Sequence, residues 1–151
     1  MTGTASLYQE AIKTFARAAN GHGKLPMPTG EAKLDNPLCG DRVRVQVTMA
    51  AGGIVAVAHE TKGCLLCQAA ASVIGLRAAG HDQAAIDAMA NEVEKMLADG
   101  SPLSLAWPEL SMFEPARAYS SRHGCVLLPF RALQAALTES RRSQDGAATA
   151  R

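Results

Sequence analysis

Four residues of this chain have the types that hold soft metals, at places where a fold can gather them. They are Cys39 and Asp41, separated by Gly40 in a loop, Cys64 where a strand-like run turns helical, and Cys125 at the start of the last helix. Three thiolates and one carboxylate complete a tetrahedral metal shell. The ligands lie far apart in sequence, so only the folded domain assembles them. Cys64 and Cys125 both read as helix N-terminal, where the partial positive charge favours a thiolate. Asp41 is a harder ligand, held by a soft ion more weakly than a fourth thiolate would be. Such a site binds a metal and can release it.

Composition narrows the setting. At 151 residues the chain fits one domain able to bury a core without staples. Aromatic content is only 4% and alanine is heavily used, which favours helix packing through small side chains. The formal charge is +1 and no basic stripe interleaves with aromatics, which argues against a nucleic-acid partner. No signal-peptide pattern follows Met1 and no long apolar span occurs, so the expected compartment is the cytoplasm, with no membrane contact. Thiols stay reduced there, and four cysteines then read as metal-binding or reactive rather than as a disulfide framework.

The elements that must position these residues are legible in outline. Ser6 and Gln9 form a capping box for a first helix, with Leu7, Tyr8, Ala11, Ile12 and Phe15 on one face and an end at Asn20-Gly21. A Gly- and Pro-rich loop leads to a short extended stretch, 31–34. Val43, Val45, Val47 and Met49 alternate with Arg42, Arg44, Gln46 and Thr48, a half-buried strand. Ala51-Gly52-Gly53 turns the chain and 54–60 returns antiparallel. Cys39 and Asp41 precede the outgoing strand and Cys64 follows the returning one, so a simple hairpin brings them to one end of the sheet.

The rest of the chain reads as helical. A helix of small residues runs from 65 to 79. A second, capped by Asp82, carries the stripe Ile86, Met89, Val93, Met96 and Leu97 and stops at Asp99-Gly100. Pro102, Pro108 and Pro115 surround Trp107 in a packed connector with one short helical turn. The last helix is expected over 125–138, with Pro129 in its first turn. The polar stretch 139–151 reads as a disordered tail, leaving a single domain over 1–138. The fold class is α+β, a small three-stranded antiparallel sheet packed against several helices.

Three motifs carry a resemblance: Asn36-Pro37-Leu38-Cys39-Gly40-Asp41 before a strand, Lys62-Gly63-Cys64 before a small-residue helix, and Ser121-Arg122-His123-Gly124-Cys125 before the last helix. In order, spacing and context the chain resembles the IscU-like iron-sulfur cluster assembly proteins, which include the N-terminal domain of NifU and the SufU proteins. About 60 residues separate Cys64 from Cys125, and this longer connection resembles the SufU type. The Leu-Pro-Pro-Val-Lys chaperone-docking motif of IscU is replaced by Ala118-Tyr119-Ser120-Ser121.

The resemblance implies zinc, or alternatively a transient iron-sulfur cluster, held by Cys39, Asp41, Cys64 and Cys125. It implies a cysteine desulfurase of the SufS kind that delivers persulfide sulfur to Cys39, with downstream iron-sulfur assembly or carrier proteins as further partners. It also implies a scaffold or zinc-dependent sulfurtransferase rather than a conventional enzyme. Arg122 matches an arginine of SufU proteins, and beside the site it would stabilise thiolate or persulfide charge.

Other residues read more plainly. Cys67 stands where the family usually has serine, and three residues after Cys64 it reads as a small core thiol rather than a ligand or one half of a redox pair. His123 is separated from Cys125 by Gly124 and reads equally as an exchangeable ligand or a solvated loop residue. His22, His59 and His81 read as surface or capping residues. The competing function is a structural zinc module that only mediates interactions; it would have a closed site, and the Asp ligand and Gly40 favour a working one.

Overall fold

The alternation of valines with polar residues forms the strand it predicts, in a computed structural model that describes residues 9–149, with side chains to 143. The strands are β1 (Gly30–Asn36), β2 (Asp41–Ala50) and β3 (Gly53–Lys62), an antiparallel meander in the order β1-β2-β3. Val43, Val45 and Val47 are buried on one face of β2. On the other face Arg42 pairs with Asp35 across to β1, and Arg44 bridges Glu31 and Glu60 on both neighbours. These solvated pairs each contribute at most about 1 kcal/mol, so the valine face decides the register.

Two hairpins result. Ala51 (φ 53°) and Gly52 (φ 81°) are both left-handed and make a two-residue turn matched to strand twist. The 37–40 loop closes on Asn36, whose carbonyl accepts the N–H groups of Cys39 (3.3 Å) and Gly40 (2.8 Å) and whose Oδ1 accepts that of Leu38 (3.1 Å).

Among the described residues four α-helices accompany the sheet: α1 (Glu10–Ala18), α2 (Leu65–Arg77), α3 (Gln83–Asp99) and α4 (Ser120–Thr149). α4 lies on β1 and β2, while α2 packs against α1, α4 and β3. Apolar or small except at Gln68 and Arg77, α2 is the central helix, with Leu66, Cys67, Ala69, Ala70, Ala71, Val73 and Ile74 buried. α3 starts where Asp82 accepts the Ala85 N–H (2.9 Å) and ends at left-handed Gly100, as its sequence requires. Among the described residues no helix is long and apolar enough to cross a membrane.

Several expectations need correction. Ser6, Leu7 and Tyr8 lie outside the described residues, and Gln9 sends its side-chain amide to the Met112 carbonyl (2.6 Å). The connector holds a run of 3₁₀ turns over Pro108–Ala118 that buries Leu110, Met112 and Phe113, more than one turn. α4 begins at Ser120, not 125, which puts Pro129 inside the helix and removes the donor that the Cys125 carbonyl would otherwise receive. Pro129 is tolerated there because it is buried against the core.

The stretch expected to be tail continues α4 in helical backbone to Thr149. Ser140 falls on the buried face with Ala136 and Leu137 and shares a 2.7 Å hydrogen bond with Thr29. Ala150 and Arg151 lie outside the described residues. His59 is a core residue, not a surface one: its Nε2 donates to the Asn20 carbonyl (2.8 Å) and its Nδ1 accepts from Thr61 Oγ1 (2.9 Å). Burial lowers its pKa, as that neutral tautomer requires.

The same Asn20 carbonyl rests on Gly75 of α2, where a Cβ would collide with it. Glycine in an exposed helix costs about 1 kcal/mol against alanine, yet here Gly75→Ala is expected to destabilise the protein by about 1–3 kcal/mol through overpacking. A shift of the denaturation midpoint to lower denaturant, without change of slope, would report it, and a stabilised variant would show that the Asn20 segment is not seated there.

Candidate metal centre

Each candidate ligand is placed by a different piece of local structure. Asp41 opens β2 in phase with Val43, Val45 and Val47, so strand alternation turns its carboxylate onto the core face, where it is 2% exposed. Cys39 projects from the tight loop before it, whose last residue, Gly40, takes φ +76° at no steric cost. Cys64 is the N-cap of α2, immediately after β3. Cys125 comes from the second turn of α4 and is fully buried.

These pieces converge. The ligand atoms of Cys39, Asp41 and Cys125 lie within 4.8 Å of one another, and the sulfurs of Cys125 and Cys39 are 3.3 Å apart. Cys64 joins from the side of Asp41: its N–H donates to Oδ1 at 3.0 Å and its thiol to Oδ2 at 3.6 Å. Bond lengths of about 2.3 Å to sulfur and about 2.0–2.2 Å to oxygen imply tetrahedral edges of roughly 3.5–3.8 Å. Cys39, Asp41 and Cys125 offer a donor set that fits one soft divalent ion, while Cys64 falls outside the 4.8 Å group and is joined to it through Asp41.

The electrostatics differ from the expected thiolates. Burial, and after weaker hydrogen bonds the charge on Asp41, hold the Cys64 thiol above its ordinary pKa. Cys125 is pushed up further, by burial first and then by its contacts with Cys39 and Asp41. A helix terminus acts over its first turn only, and Cys125 is beyond it. At Cys64 the N-terminal field is present but burial outweighs it. A divalent cation reverses this balance, since coordination deprotonates a thiol outright.

Three supporting residues do not announce themselves in sequence by any ligand chemistry. The Asp41 carboxylate lies directly on Gly63, where any Cβ would overlap Oδ1. Asn36 organises the Cys39 loop through its backbone and side chain, and its Nδ2 stands 2.8 Å from where a Cβ on Gly124 would be, docking the loop onto α4. The only sequence signal was the glycines beside Cys64 and Cys125, whose role is space.

The remaining candidates divide. Arg122 is half-buried one turn before Cys125 on α4. His123 Nε2 donates to the Arg117 carbonyl (3.0 Å) and is outside the ligand set. Cys67 is fully buried, as a core thiol should be, but it also stands beside the cluster: after burial, the charges of Asp41, Cys64 and Cys39 raise its pKa.

Several known proteins are similar to this chain in sequence or fold. The iron-sulfur cluster assembly scaffold protein IscU of Thermotoga maritima is 27% identical over 131 residues, covering 87% of this chain and 92% of that protein. The N-terminal NifU-like protein of Brucella abortus superposes with a TM-score of 0.86 at 30% identity, over 91% of this chain and 96% of its own. A putative iron-sulfur cluster assembly scaffold protein for the SUF system from Fervidobacterium islandicum gives 0.83 at 26% identity, over 89% and 99%. Residues 7–126, which contain all four candidate ligands, match the model of the NifU-like N-terminal domain, and the chain belongs to that family.

Proposed function

We propose that this protein serves iron-sulfur cluster assembly in the manner of the SufU type, binding zinc or a nascent cluster and accepting persulfide sulfur from a cysteine desulfurase. The observation that carries the reading is the convergence of Cys39, Asp41 and Cys125 within 4.8 Å, with Cys64 beside them. Cys39, Asp41, Cys64 and Cys125 would hold the ion, whose contribution is to keep thiols deprotonated at neutral pH. The compartment is the cytoplasm, where four free thiols stay reduced.

Among the thiols Cys39 is the best acceptor. It is half-buried on a hairpin loop, whereas Cys125 is sealed in the core. The Cys39 thiolate attacks the terminal sulfur of the donor's cysteine persulfide, forming a new S–S bond as the donor's own breaks. The donor leaves as a cysteine thiolate and no net oxidation occurs. Leu38, 90% exposed next to Cys39, offers the desulfurase an apolar contact, and Arg122 supplies positive charge one turn before Cys125. A purely structural zinc site would be closed; the partial exposure of Cys39 and Cys64 argues against it.

Cys39→Ser is expected to bring desulfurase-dependent sulfur transfer to background, followed with labelled cysteine; unchanged transfer would remove the acceptor role. Protein isolated without oxygen or chelator should contain about one zinc per chain and no acid-labile sulfide, and iron with matching sulfide would make it a cluster scaffold instead. Gly63→Ala, whose added methyl meets the Asp41 carboxylate, should weaken zinc binding about 10–100-fold in chelator competition.

The raised thiols also set a pH dependence. Cys39, Cys64 and Cys125 must each lose a proton to bind metal, and burial holds the thiols of the last two above the ordinary range, so apparent zinc affinity should fall by up to about 1,000-fold for each pH unit of acidification. In the metal-free protein the same shifts mean that the folded state holds protons the unfolded chain has lost, so stability should decline as pH rises past the ordinary thiol range. Competition titrations and melting curves across pH would check both signs.

A further inference from the structure

The backbone donors of the Cys39 loop all return to one residue. Pro37 has no N–H, Leu38 donates to Oδ1 of Asn36 (3.1 Å), and Cys39 (3.3 Å) and Gly40 (2.8 Å) donate to its carbonyl. The Cys39 thiol also turns back to that carbonyl, at 4.0 Å. The other end of the Asn36 side chain, Nδ2, meets α4 at Gly124, one residue before Cys125, where a Cβ would lie 2.8 Å from it. Both ends belong to one planar amide, so a push on Nδ2 is carried to the Leu38 N–H beside Cys39. Glycine in a helix costs about 1 kcal/mol against alanine, and here it admits this one side chain.

The amide therefore spans the gap across which the sulfurs of Cys39 and Cys125 stand 3.3 Å apart. Little else fastens the loop to the helix: Leu38 at its tip is 90% exposed, and a cleft of about 360 Å³ opens between the loop and α4, lined by Pro37, Leu38, Ser121 and Leu127 among others. The cleft gives the loop room to move once the amide is unseated.

We infer that Asn36, seated on Gly124, is a positioning residue for sulfur acceptance: it holds Cys39 against Cys125, and lifting its amide off α4 frees the Cys39 thiol to turn toward a partner's persulfide. The inference rests on the acceptor reading proposed above and deepens it. No covalent bond changes in this step; a packed contact opens, and the loop moves on its strand end while β1 and β2 keep their register through the Asn36–Asp41 pair.

Alkylation by iodoacetamide, read peptide by peptide in a mass spectrometer, tests this in the protein as isolated, with Cys64 as internal standard. Gly124→Ala and Asn36→Ala should each speed the labelling of Cys39 relative to Cys64 about tenfold, and the double variant should do no more than either single, since both remove one contact. A merely structural role would speed both cysteines together and leave their ratio unchanged.

An unchanged ratio in the variants, or single effects that multiply in the double, overturns the inference while leaving Cys39 as acceptor. Sulfur transfer that persists in Cys39→Ser removes the acceptor reading instead, whatever the labelling shows. If circular dichroism shows Gly124→Ala to be unfolded, Asn36→Ala decides alone by the same ratio.

Discussion

The buried carboxylate of Asp41 is the constraint on which the rest of the site depends. Period-two alternation gives it the same side of β2 as Val43, Val45 and Val47, so the strand that builds the core must also bury a charge. Taking a carboxylate out of water costs several kcal/mol. The Cys64 N–H returns about 1.5–3 kcal/mol of that, and surrounding sulfurs supply weaker donors. The chain end of β3 has to approach closely enough to deliver that N–H, and Gly63 is the residue that permits it. One side chain thereby ties the start of β2, the end of β3 and the first turn of α2 together, and the sulfurs are arranged around it.

Exposure is graded across the ligands in a way that separates precision from availability. Asp41 and Cys125 are held by a strand and a long helix and are buried; Cys64 caps a central helix and is half-buried; Cys39 rides on a loop that ends in the exposed Pro37-Leu38 tip. Ligands on regular elements are fixed by packing, whereas a loop residue can move without cost to the core. The loop is still well defined: Asn36 closes it by hydrogen bonds and Gly124 lets it dock on α4. On the proposed reading, the sulfur that must meet a partner is the one whose displacement disturbs least.

Much of this was legible in the residues, and the failures have physical causes. The β2–β3 hairpin and α3 follow from alternation, from a Gly-containing turn and from the Asp82 and Gly100 caps, each a local signal that tertiary structure leaves alone. Hairpin geometry anticipates the contact of Cys64 with Asp41, whereas the group within 4.8 Å is completed by Cys125 from α4 rather than by Cys64. The start of α4 was hidden because Gly124 and Pro129 both speak against a helix; packing overrides them, one making room for Asn36 and the other burying its ring. Ser140 looked like tail because it is polar, yet it continues the Leu133, Ala136, Leu137 face. The thiol protonation states were misread because helix position is visible in sequence and burial is not.

The relation of metal to fold follows from the same burial. Where a small domain lacks a core, zinc binding and folding are one event, worth about 10–16 kcal/mol. Here Trp107, Phe113, Phe130, Leu133, Leu137 and Ile74 are fully buried in a core that needs no metal, and burial together with the neighbouring Asp41 charge favours the protonated thiols of Cys64 and Cys125. The metal-free domain therefore keeps its core when the thiols hold their protons. A site whose emptying does not unfold the protein can fill, discharge and refill, and this is what a carrier of metal or sulfur needs and a structural zinc knot does not.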